Sequence, residues 1–224
     1  FRRHGDHPLC IETPPVSVTL VLTDGRRCAH RVVKPSTPMR PQQDVIRHPP
    51  DRHRWVGGWL ALLTFSVFLN CLWTPFLWED EHFILNNTFL TSWRFVPALI
   101  TQNMLAGSGF ETNYYRPIQA ITHFLDVQLW GYHAWGHHLT NVLCHTLLAV
   151  SLFGVLRRLT STWPAVIAAA VFSLHPLQSQ AVAYLPGRGD LLALLCGCQG
   201  LLAFPTHRGR SLLWAALAML SKEN

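Results

Sequence analysis

The feature that most limits what this chain can fold into is an apolar run from Val56 to Phe76, closed by Trp78-Glu79-Asp80-Glu81-His82-Phe83. A helix of that length crosses the roughly 30 Å hydrocarbon core of a bilayer. A charge at the bilayer centre costs about 2.5–3.5 kcal/mol on the insertion scale. Three consecutive carboxylates therefore mark the point where the chain leaves the membrane.

Composition agrees. Of 224 residues, 49% are hydrophobic and only 13% charged, where a soluble domain carries roughly a quarter charged. The apolar residues also fall in blocks, which argues for a membrane protein over a large soluble core. The net charge of +6 is uneven: residues 1–54 hold ten Lys/Arg against five Asp/Glu, and the remainder eight against seven. That distribution argues against a nucleic-acid surface. A basic segment ahead of the first span is the mark of a cytosolic amino terminus.

Read in order, residues 1–54 form a basic, Pro-rich, disordered arm, interrupted at most by a short strand over Val16 to Leu22. Five spans follow: Val56 to Phe76, Leu139 to Leu156, Trp163 to Leu174, Leu191 to Phe204, and one starting at Ser211. Arg157-Arg158 and His207-Arg208-Gly209-Arg210 place residues 157–162 and 205–210 inside, and residues 77–138 and 177–189 outside. Ile118, Ile121, Phe124, Leu125 and Leu129 recur at helical spacing, so 116–130 is expected to be a helix lying in the interface. The expected fold is thus all-α, a multi-pass transmembrane helical bundle over residues 55–224. The cysteines show neither a disulfide framework nor a zinc spacing, and Cys71, Cys144, Cys196 and Cys198 read as packing residues.

Polar residues collect on the outer side. Glu79, Asp80 and Glu81 offer a general base with flanking carboxylates, which split one another's pKa values; a solvated helix end is the simpler alternative. Arg116, in Tyr115-Arg116-Pro117, suits a phosphate or plain headgroup anchoring. His138, Asn141 and His145 share one face of the second span, which faces the bundle interior or a cavity. His175-Pro176 and Gly187-Arg188-Gly189-Asp190 bracket the second outer loop, where Asp190 also serves as a helix cap. A zinc site from His133, His137 and His138 lacks a second pair at ligand spacing, and a divalent metal is not expected at the carboxylates either. A transporter with His138, Asn141 and His145 along its path, and a membrane scaffold without chemistry, are the alternatives.

The order of the pieces is more specific than any one of them. An acidic pair after the first span is followed by Tyr115-Arg116-Pro117 and by Gly136-His137-His138-Leu139-Thr140-Asn141. Leu174-His175-Pro176, Gly187-Arg188-Gly189-Asp190 and Ser221-Lys222-Glu223 complete the series. Residues 56–224 thereby resemble the amino-terminal membrane half of the transmembrane and tetratricopeptide-repeat containing O-mannosyltransferase family. The resemblance implies a GT-C glycosyltransferase architecture, with later spans and tetratricopeptide repeats beyond this chain. It implies an integral membrane enzyme of the endoplasmic reticulum or a bacterial inner membrane. The donor would be a polyprenyl-phosphate sugar, the acceptor a protein Ser or Thr hydroxyl, and the transfer inverting. No cofactor and no nucleic acid are implied; membrane lipid, donor and acceptor are the partners. Arg116, Arg188 and Lys222 are the expected phosphate ligands, and His138, Asn141, His145, His175 and Asp190 a polar pocket. The family pair is two Asp where this chain has Glu79-Asp80 followed by Glu81, and the pair of the similar protein O-mannosyltransferases is Asp-Glu, which Asp80-Glu81 matches; Asp80 is common to both registers and is the expected base.

Overall fold

The computed structural model describes residues 54–222. The expected disordered arm and the strand within it fall on residues 1–53, outside the described residues, as does Glu223.

The chain opens with α1 (Arg54–Val67), extended by a 3-10 turn over Leu69–Trp73. Pro75 ends it, because the residue before a proline is pushed from helical into extended backbone, and Thr74 sits at ψ 128°. Short helical turns and α2 (Val96–Thr101) lead to α3 (Pro117–Trp130). Then come α4 (Ala134–Leu159), α5 (Thr162–Leu174), α6 (Ser179–Val182), α7 (Arg188–Ala203) and α8 (Arg208–Ser221). The described residues contain helices and no strand.

Two helical stretches, Trp55–Trp73 and Ala134–Leu159, are long and apolar enough to cross a membrane. The pair Thr162–Leu174 and Pro176–Val182, bent by 52°, makes a third if it is one span. The bend falls at His175-Pro176, where the proline cannot continue the ladder of α5. At 1.5 Å per residue, the 16 residues of α7 and the 14 of α8 fall short of the roughly 20 a span requires.

Helix α4 is the central post, packed against α1, α3, α5 and α7, while α7 and α8 lie along one another. One apolar cluster joins Val56 and Leu60 of α1 to Phe153, Ala165 and Ala169, the alanines allowing α5 to approach closely. A second joins Phe68 and Cys71 to Val142, Leu148, Val182 and Leu191. A third builds a lobe outside these helices: Phe83, Ile84, Leu90, Leu99, Met104 and Leu105 close over Ala120, Phe124 and Val127 of α3. Cys71, Cys144, Cys196 and Cys198 are free thiols, as packing residues would be.

Helix α3 covers the expected residues but buries a different stripe. Leu125 and Leu129 are exposed, whereas Gln119, His123 and Asp126 are buried together with Phe124. Two of these polar residues find partners there: Gln119 in the Pro186 carbonyl, and Asp126 in Arg188 and Thr140. Gly131, at φ 59°, then reverses the chain into α4 within a few residues.

That reversal presses Gly136 onto Trp130: a Cβ at position 136 would lie 2.3 Å from the Trp130 ring. Gly136→Ala is expected to destabilise the protein by about 1–3 kcal/mol. Gly58→Ala, where a Cβ meets nothing within 4 Å, should leave the melting temperature level or raised. Thermal unfolding of the two variants in one detergent checks the contrast.

Candidate active site

Two polar assemblies occupy neighbouring regions, one sealed and one open. The sealed one centres on Arg188, the first residue of α7, which is completely buried. Its Nη1 lies 2.6 Å from Oδ2 of Asp126 on α3. Its Nε donates to Oδ1 of Asn141 at 2.6 Å and its Nη2 to the His137 carbonyl at 2.9 Å. Thr140 Oγ1 donates to the other Asp126 oxygen at 2.7 Å, and Asn141 Nδ2 to the Val182 carbonyl at 3.1 Å. Gln119 Nε2 reaches the Pro186 carbonyl at 2.9 Å, so α3 also holds the turn leading into α7. Gly189 fits tightly, its Cβ position 3.0 Å from the Ser221 carbonyl of α8 and 2.5 Å from Gln119 Oε1.

His123, Asp126 and His137 meet beside this pair, with three ligand atoms within 4.8 Å of one another. Arg188 already balances the single charge of Asp126, so a divalent cation would add a buried, uncompensated double charge. Burial, and the nearby charges of Arg188 and His137, push the His123 pKa well below its usual range and leave the ring neutral.

The open assembly is a cavity of about 440 Å³. Glu79, Tyr114, Arg116, Tyr184, Asp190 and Lys222 contribute its polar lining, with Phe83, Phe172, Leu191 and Leu194 among the apolar part. Arg116 lies over the Tyr114 ring, 4.8 Å from its centroid. Lys222 pairs with Asp190. The Tyr184 hydroxyl donates to Oε2 of Glu79.

Glu79 reaches this cavity because of a tight turn. The Asp80 amide donates to the Leu77 carbonyl at 2.9 Å, while Asp80 Oδ2 accepts the Leu77 amide at 2.8 Å. Closing so small a loop forces Trp78 to φ 41°, left-handed backbone that costs a non-glycine residue on the order of 1–2 kcal/mol. Asp80 is 1% exposed and does not line the cavity. Burial, reinforced by the charge of Glu79 and opposed by the Leu77 amide and Arg188, raises its pKa to about 6. Glu81 is exposed and accepts from Asn86 at 3.2 Å.

Of the expected site residues, the structure thus gathers Glu79, Arg116, Asp190 and Lys222 in one cavity and leaves Asp80 behind it. Arg188 corrects the expected phosphate ligand: its guanidinium is spent on Asp126, Asn141 and His137 and faces no open space. The expected polar pocket does not form as a unit either. His138, Asn141 and His145 are fully buried, with His145 Nε2 2.8 Å from the Ser173 carbonyl, while exposed His175 accepts the Leu177 amide through Nδ1 at 3.2 Å. His133 is exposed, apart from His137 and His138. Sequence reading missed Asp126 and Tyr184. Gln119, His123 and Asp126 do recur at helical spacing, a signal masked by the apolar stripe beside them. Tyr184 lies 105 residues from Glu79, and no local pattern joins the two.

Comparison with known proteins shows what the chain is similar to. The chain is 32% identical to the protein O-mannosyl-transferase Tmtc1 of Drosophila melanogaster over 152 residues, 66% of this chain and 18% of the relative. It is 31% identical to Tmtc2 of the same fly over 181 residues, 72% of this chain and 19% of the relative. It is 26% identical to the protein O-mannosyl-transferase F38B6.6 of Caenorhabditis elegans over 191 residues, 79% and 28%. The chain therefore spans 18–28% of the length of these relatives. No family profile and no solved structure matches it.

Two outcomes follow from the geometry. Arg188→Met leaves the Asp126 carboxylate buried without its counter-charge and should cost about 3–5 kcal/mol; Asp126→Asn in the same chain should recover part of the loss, read as a double-mutant cycle on the melting temperature. Asp80 sets a pH dependence. Its folded pKa of about 6 exceeds the usual 3.8, so its contribution to stability is full below pH 3.8 and lost as pH rises through 6. The difference is worth on the order of 3 kcal/mol. Asp80→Asn should flatten that part of the melting-temperature profile between pH 4 and 7.

Proposed function

The chain is a homologue of the protein O-mannosyl-transferases of the TMTC family, and from that kinship we propose that it forms the amino-terminal, membrane-embedded part of a glycosyltransferase acting on proteins. The donor is a polyprenyl-phosphate sugar, with mannose as the sugar, and the acceptor a Ser or Thr hydroxyl. The reading places the enzyme in the endoplasmic reticulum or a bacterial inner membrane, with further spans and tetratricopeptide repeats beyond these residues.

The observation that carries the reading is the cavity itself. Two carboxylates, Glu79 and Asp190, and two cations, Arg116 and Lys222, converge on it from segments far apart in sequence, next to the end of the first apolar helix. That is where a donor anchored in lipid would present its phosphate. In the proposed reaction the acceptor oxygen attacks the anomeric carbon from the face opposite the phosphate. Glu79 takes the hydroxyl proton, the new carbon–oxygen bond forms, and the bond to the phosphate breaks with its electron pair leaving on the lipid phosphate. Attack from that side inverts the anomeric centre. Arg116 holds two phosphate oxygens with its planar fork, and Lys222 supplies a second positive charge once the phosphate displaces it from Asp190. No metal or cofactor is assigned a step, and the membrane lipid is the solvent of the donor chain.

A second assignment of the base has one observation in its favour. Asp80, with its pKa raised to about 6, is better matched to proton abstraction near neutral pH. Its carboxyl, however, is fixed on the Leu77 amide behind the cavity. The transporter alternative finds no support in the polar face of α4, where His138, Asn141 and His145 are packed shut.

Transfer from a short-chain polyprenyl-phosphate mannose, measured with the intact protein, separates the assignments. Glu79→Gln should lower turnover by about 10²–10⁴, and Asp80→Asn by less. The reverse ranking would hand the base to Asp80. Arg116→Lys keeps the charge and loses the fork, and should weaken donor use about ten- to a hundred-fold.

A further inference from the structure

We propose that Tyr184 is the positioning residue of the site, its hydroxyl holding the Glu79 carboxylate toward the cavity. The inference rests on the assignment of Glu79 as base.

The contact is the one that joins the strained turn at Trp78 to the segment between α6 and α7: the Tyr184 hydroxyl donates to Glu79 Oε2, and both residues line the cavity. Glu79 is otherwise an exposed side chain on a solvent-facing turn, with nothing in its own segment to fix its rotamer. Tyr184 is anchored on both sides. Val182 and Leu185 are fully buried, and the Gly187 amide closes a 3-10 turn on the Tyr184 carbonyl at 3.0 Å. Gly187 in turn is pressed so closely on α6 that a Cβ there would sit 2.9 Å from the Gln180 carbonyl. A phenol on so rigid a base has few torsions left, and locks its partner at small entropic cost.

The direction of the hydrogen bond is also fixed. Burial and the adjoining Glu79 carboxylate push the Tyr184 pKa above its usual range, so the hydroxyl keeps its proton and remains the donor. A carboxylate has two oxygens, so a donor fixed on Oε2 leaves Oε1 to accept the proton of the attacking hydroxyl. Tyr114 and Arg116 ahead of α3, Asp190 on α7 and Lys222 after α8 line the same cavity, and Asp80 is near enough to feel the charge of Glu79.

The test is turnover in the intact protein, with polyprenyl-phosphate mannose as donor and a Ser/Thr peptide as acceptor. Tyr184→Phe should lower kcat about tenfold, and leave the donor KM and the melting temperature unchanged. Glu79→Asp, which withdraws the carboxylate from the hydroxyl by one methylene, should lower kcat in the same way. In a Glu79→Gln background, Tyr184→Phe should have no further effect on kcat. A Tyr184→Phe loss that falls on donor KM and melting temperature as well means a structural role only and overturns the inference. Wild-type kcat in Tyr184→Phe, beside an inactive Glu79→Gln, overturns it while leaving the base in place. Wild-type turnover in Glu79→Gln overturns both the base and its partner.

Discussion

The buried ion pair between Arg188 and Asp126 is the interaction on which the arrangement depends. It ties the first turn of α7 to α3, and through Asn141 and the His137 carbonyl it ties both to α4. A lone guanidinium in that position would cost several kcal/mol in desolvation. With a carboxylate, a side-chain amide and a backbone carbonyl around it, the same group becomes a three-way joint. The Gly187 turn and the close fit of Gly189 against α8 follow from it, because both bring the start of α7 near enough for the arginine to reach.

The joint also explains how charge is divided. Arg188 and Asp126 face inward and neutralise one another, while Glu79, Arg116, Asp190 and Lys222 line an open cavity. Asp80 stands between the two groups: it closes the turn that carries Glu79 outward, and so shapes the cavity without lining it. Two adjacent carboxylates thus take different tasks because one is buried against an amide and the other faces solvent.

How far the sequence exposed this can be argued residue by residue. The long apolar runs and their charged ends are local, and they located α1 and α4 as the helices able to cross a membrane. The extent of α3 was legible from its period, but its inward face was not, since a polar stripe turns in only when a distant arginine is there to receive it. The same arginine is expected to bind phosphate from the family resemblance, with Gly187-Arg188-Gly189-Asp190 at the end of the second outer loop. Its burial is decided by Asp126, 62 positions earlier, which no window around Arg188 contains. Tyr184 was invisible for a like reason: a hydrogen bond to Glu79 leaves no periodicity at either end. His138, Asn141 and His145 do share a face, as their spacing required, but a shared face is as easily sealed as opened.

The lining of the cavity carries a consequence for how the protein is made. Lys222 is synthesised about 140 residues after Glu79, although both line one cleft. At about 5–20 residues per second, the segment carrying the carboxylate waits roughly seven to thirty seconds for that cation. During that interval the cleft on the nascent chain carries its carboxylate without one of the two cations that later line it.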